Sequence, residues 1–132
     1  MNLQVATAGP LEVARRLFAA VERGDIETVA ALYHSDAIIW HNYDRVETTR
    51  EQNLEVLRAF VKRAPMRRYT HPKLIATEAG FVQQHVLEAV RVDGRRLSLP
   101  SCVVAEVTQG RIRRIDEYFD TAPLAGWYDI KG

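Results

Sequence analysis

The sequence predicts an α+β domain in which three helices from the N-terminal half cover a strongly curved antiparallel sheet built from the C-terminal half. Three observations carry this. Apolar residues recur at three-and-four spacing as far as Ala64. From Met66 onward the pattern changes to β-branched and aromatic runs. Those runs are then punctuated by Ala79-Gly80, Asp93-Gly94 and Gln109-Gly110, which read as turns between consecutive hairpins.

The first helix follows Pro10, with Leu11, Ala14, Leu17, Phe18 and Val21 on one face and Gly24 placed to end it. Asp25 caps a second, shorter helix through "IETVAALYH", with Ile26, Val29, Leu32 and Tyr33 inward. The run "AIIWHNYD" reads as a strand. Thr48 and Glu51 have capping-box spacing for a third helix, whose stripe of Leu54, Leu57, Phe60, Val61 and Ala64 is stopped by Pro65. Four strands complete the fold: "MRRYTHPKLIATE", "GFVQQHVLEAVRV", "RRLSLPSCVVAEV" and "RIRRIDEYFD". The tail "TAPLAGWYDIKG" is a loose segment anchored by Trp127 or Tyr128.

The 132 residues, 47% of them hydrophobic, suffice for one domain (1–132) with one core and no need of disulfides or metals. A net charge of +1 without any block of like charge argues against a nucleic-acid partner. The single Cys102 excludes an internal disulfide and fits a reduced, cytoplasmic compartment. No apolar stretch is long enough for a membrane, and "MNLQVATAG" lacks the form of a secretion signal. His34, His41, His71 and His85 show no metal-ligand spacing, and no glycine-rich phosphate loop is present.

A curled sheet covered by helices leaves an internal pocket between the layers, the usual place for a small hydrophobic ligand. In "IIWHNYD" an apolar strand ends in Trp40, His41, Asn42 and Asp44. His41 titrates near neutrality and suits a base or water activator. Its bland alternative is an imidazole bonded to backbone at a strand end. Asn42 either orients a water or carbonyl or forms the turn; Asp44 either holds His41 in one tautomer or caps that turn; Trp40 either packs on the core or roofs the cavity. In "RIDEYFD", Ile115, Glu117 and Phe119 share one face, so Glu117 is an inward carboxylate beside the Phe119 wall, or else the partner of Arg91 or Arg113. On the middle strand only one of Gln84 and His85 can face the cavity, and the strand phase favours Gln84, leaving His85 on the outer face or as a second pocket histidine.

The element order, "ERGDIETVAALYHSDAIIWHN" and "GRIRRIDEYFD" resemble the nuclear transport factor 2 / ketosteroid isomerase-like superfamily in its SnoaL-like branch, over Leu11 to Ala122. The resemblance implies a cone-shaped scaffold and a homodimer through the open sheet face. Ketosteroid isomerases of this fold would place their tyrosine, base and second acid at Leu17, His41 and Cys102, and a leucine cannot donate to an oxyanion. Limonene epoxide hydrolases would match at Trp40, Asn42 and Glu117, but their Arg-x-Asp pair falls on Gln84 to Val86. Similarity to the SnoaL-like cyclases remains. It implies cofactor-free acid/base chemistry, of the isomerase, cyclase or lyase kind, on a hydrophobic or polyketide-like carbonyl compound. His41 and Glu117 would be catalytic, with Trp40, Asn42, Asp44, Gln84, His85 and Phe119 around the substrate. A non-catalytic ligand-binding or dimeric module is the alternative, followed by water chemistry of the epoxide hydrolase or dehydratase kind.

Overall fold

Gly24 ends the first helix in the left-handed conformation, and Asp25 restarts the chain by accepting a hydrogen bond from the Thr28 backbone amide. The hairpin of α1 (Pro10–Arg23) and α2 (Ile26–Leu32) is therefore fixed by two adjacent residues. A computed structural model describes residues 8–127; most of the segment read for a secretion signal, and Tyr128, lie outside the described residues. Trp127 is the buried anchor of the C-terminal segment, 1% exposed.

The remaining elements are β1 (Tyr33–His41), β2 (Glu47–Thr49), α3 (Arg50–Arg63), β3 (Met66–Ala76), β4 (Gly80–Val90), β5 (Arg96–Thr108) and β6 (Arg111–Phe119). Two local expectations shift. The second helix stops at Leu32, and Tyr33 opens β1. The capping box of α3 is Thr49 with Gln52, one residue later than Thr48 and Glu51. The reason is that the Thr48 hydroxyl donates instead to the Ile39 carbonyl, securing β2 against β1.

All six strands form one sheet in the order β2-β1-β6-β5-β4-β3. The meander from β3 to β6 is antiparallel as expected. The sheet as a whole is mixed, because β1 and β6 run parallel. A parallel neighbour needs a long crossover, here everything from β2 to β5, and hairpin turn signals carry no trace of such a pairing. On the edge strand β3 a bulge between Thr70 and Lys73 holds His71 at positive φ and accommodates Pro72, whose missing N–H an edge tolerates.

The helices cover one face, α1 over β3 and β4 and α3 over β1 and β2. Between them lies the main core, including Val13, Leu17, Val29, Ile39, Phe81 and Ile112. A second cluster around Trp127, Leu97 and Leu99 closes the other end, with Phe60 and Phe119 packed against it.

The candidate active site

Strand register builds the site. Phe81, Ala105, Ile115 and Ile39 form one lateral row across β4, β5, β6 and β1, all four buried. Two residues further along each of these strands the next inward row is Gln83, Val103, Glu117 and His41. An apolar row is thus followed by one that carries an amide, a carboxyl and an imidazole. Beside them is a hollow of about 60 Å³, walled by Leu17, Phe18 and Leu57 among others and reached by the polar side chains of Tyr33, Asn53, Tyr69 and Glu117. That volume holds a few small-molecule atoms; an apolar cavity that takes benzene is about 150 Å³.

His41 Nε2 lies 3.1 Å from Glu117 Oε1, and the two side chains are 18% and 26% exposed. Burial pulls the His41 pKa down, but the hydrogen bond and charge of Glu117, with the more distant charge of Asp44, outweigh it and leave the value raised. The pair needs no arginine: Arg113 pairs with Asp36, and Arg91 with Asp93 and the Trp127 carbonyl. Phe119 packs edge-on to His41 at 6.0 Å and against Tyr43 at 5.4 Å, on the inner face beside the pair but not among the residues lining the hollow.

Several predicted contacts lie elsewhere. Trp40 is on the outer face, stacked edge-on with Tyr118 at 5.4 Å, so it does not roof the hollow. Asn42 serves the backbone: its Oδ1 accepts from the Phe119 amide and its own amide donates to the Glu117 carbonyl, prolonging the β1·β6 pairing. Asp44 caps the turn through the Val46 amide. The phase of β4 is opposite to that expected. Gln84 is exposed on the outer face, in register with Cys102, while Gln83 and His85 point inward, each 4% exposed. Valines and larger apolar residues occupy both parities of β4, so alternation there gave no valid phase. Cys102 is half-buried on that outer face, in register with Tyr118.

The sequence reading also missed polar groups at the hollow. The Tyr33 hydroxyl donates to Asn53 Oδ1 at 2.8 Å, both buried. Burial, then the charge of Glu117, pushes the pKa of Tyr33 and of Tyr69 well above the ordinary phenol value. Asn53 beside Leu54 in the apolar stripe of α3 was the one available signal. Among the described residues no cluster of three His, Cys, Asp or Glu side chains is arranged to hold a metal ion, and no helix is long and apolar enough to cross a membrane.

No curated protein matches the chain in sequence. Solved structures do share its fold. AclR, a candidate hydroxylase from Streptomyces galilaeus, superposes with a TM-score of 0.80 at 13% identity, over 89% of this chain and 79% of AclR. IdmH, a candidate polyketide cyclase from Streptomyces antibioticus, gives 0.79 at 19% identity, over 90% and 97%. An epoxide hydrolase of the LEH-like kind from M. tuberculosis gives 0.74 at 20% identity, over 88% and 86%. Likeness at these identities shows the fold and leaves the chemistry to the site. The profile of the SnoaL-like domain matches residues 14–115, most of the chain, and the protein belongs to that family.

Proposed function

We propose that the protein is an enzyme of proton transfer, using its own side chains to isomerise or cyclise a small carbonyl compound. The observation that carries this reading is the half-buried His41–Glu117 pair, whose carboxyl lies on the wall of a hollow lined mostly by apolar side chains. Of the two, Glu117 meets the hollow and is the base, while His41 stands behind it. This reverses the roles expected from sequence. A carboxylate at an apolar wall takes a proton from the carbon next to a carbonyl, the electron pair moves onto the carbonyl oxygen, and the protonated carboxyl returns the proton at another carbon. The His41 N–H that Glu117 accepts fixes the carboxylate geometry throughout.

The small hollow admits the reacting end of a ligand, and any larger hydrophobic or polyketide-like body extends into the open mouth. Water addition to an epoxide is the weaker reading, because Asn42, which would orient the water, is committed to the Phe119 backbone.

The test is hydrogen–deuterium exchange at carbon in a panel of small ketones and nitroalkanes. The protein should accelerate exchange for some members, and Glu117→Gln should lower that rate by about 10²- to 10⁴-fold with the fold intact. No acceleration across the panel, or a loss below about threefold in the variant, overturns the proposal.

A further inference from the structure

His85 is an inner-face titratable group whose placement the acid/base pair does not use. Its ring is buried edge-on to Phe18 and Tyr69, at 5.2 and 4.6 Å between centroids, and both of those side chains line the hollow. Its Nδ1 is 2.9 Å from Gln83 Nε2. Its Nε2 is buried without a partner, one of three such side-chain atoms among the described residues. Burial of this kind carries an uncompensated desolvation cost, and folded proteins keep such groups chiefly where a ligand or water completes them.

The chemistry of Gln83 decides what that nitrogen is. An amide nitrogen can only donate, so Nδ1 of His85 accepts and the neutral ring carries its proton on Nε2. Burial opposes a second proton, and the pKa of His85 is lowered accordingly, although the charge of Glu117 works the other way. The result is a neutral N–H donor held in one orientation. Register puts it diagonally across from the carboxyl: Gln83 and Glu117 share a row with only Val103 of β5 between them, and His85 is the next inward residue along β4, in the row of Ser101 and Phe119. Two strand spacings and one two-residue step along the strand put the two backbones about 12 Å apart, with both side chains directed to the inner face.

We propose that His85 donates from Nε2 to the substrate oxygen that becomes anionic when Glu117 removes a proton from the adjacent carbon, and that Gln83 sets the tautomer this requires. The proposal rests on the acid/base reading of Glu117 and assigns the other half of the site. The ligand class follows: a compact carbonyl or nitro compound with an acidic C–H bond. The C–H bond breaks, its electron pair passes to oxygen, and the proton goes to Glu117, with no oxidant or reductant involved. Gln83 is a positioning residue.

The experiment has two arms. In the first, nitrogen NMR of the ¹⁵N-histidine-labelled protein, with His85→Gln for assignment, reads the tautomer directly. His85 should stay neutral with the proton on Nε2 throughout the range where an exposed imidazole titrates, and Gln83→Glu, which turns a donor into an acceptor, should move the proton to Nδ1. In the second, ethyl nitronate, a compact enolate mimic, is titrated into the Glu117→Gln protein, whose neutral amide stands in for the protonated base. It should bind, and His85→Gln or His85→Phe added to that background should weaken binding by about ten- to hundredfold, the effect of removing a donor to a charged oxygen.

A His85 proton on Nδ1 in the unaltered protein, no nitronate binding, or a weakening below about threefold overturns the assignment. The tautomer is read without any turnover, so a His85 failure is distinguishable from a failure of the carbon-exchange assay, which bears on Glu117 alone.

Discussion

The inner face of the sheet presents two histidines in opposite circumstances. At the β1·β6 end, His41 faces a carboxylate across a parallel strand pair, and both side chains keep some contact with solvent. At the β4 end, His85 faces an amide two residues back on its own strand and is sealed under Phe18 and Tyr69. At His41 burial favours the neutral ring but is outweighed by the hydrogen bond and charge of Glu117, which favour the imidazolium; at His85 burial prevails over the charge of Glu117 and favours the neutral ring. On the proposed reading one residue type takes two distinct roles within a single layer, a charged partner for a base and a fixed neutral donor.

The sharpest way to break this contrast is to unseal the β4 end. Phe18 packs edge-on to Tyr69, Phe81 and His85 at once. Phe18→Ala should cost about 3–5 kcal/mol of stability, seen as a lower urea midpoint, through lost burial and the cavity left behind. In the folded variant the His85 pKa should move back toward the ordinary imidazole value, because burial is the first cause of its depression. A His85 that stays depressed would mean that depth is not what separates it from His41.

A smaller effect is expected at the other end. Asn42→Ala removes the acceptor for the Phe119 amide, at about 1 kcal/mol, and loosens the β1·β6 junction that presents His41 to Glu117. Tyr33→Phe should cost a similar amount by leaving Asn53 Oδ1 without its hydroxyl donor. Urea midpoints measure both. Asn42→Ala should disturb the His41 titration more, because the Tyr33 hydroxyl donates to Asn53 and to neither member of the pair.

What was readable in the sequence follows the same division. The Ile115-Glu117-Phe119 face was legible because in this half of β6 apolar residues flank the acid on one parity, although Ile112 is buried on the other. His41 was legible because Ile39 marks the inward parity of β1 and no bulge intervenes between them. Gln83 and His85 were not, since β4 carries apolar side chains on both faces and the phase is set by its partners in the sheet. Asn42 and Trp40 were misplaced for a related reason. Their roles depend on β6 lying parallel beside β1, a pairing between distant segments that no local pattern encodes. Helix hairpin and meander, built from local caps and turns, were legible almost residue for residue.

The finest test of the contrast is the pH dependence of stability, because the two histidines should pull it in opposite directions. The His41 pKa is raised in the folded protein, so its contribution is fully present below the ordinary imidazole value and is lost as pH rises through the folded value. The His85 pKa is lowered, so its contribution is present above the ordinary value and is lost as pH falls toward the folded one. In urea titrations repeated across this range, the deficit of His41→Gln relative to the unaltered protein should therefore grow as pH falls into the window just above the ordinary value. That of His85→Gln should shrink as pH falls below it. Deficits that change in the same direction for both variants would show that the carboxylate at His41 and burial at His85 do not set the two rings apart.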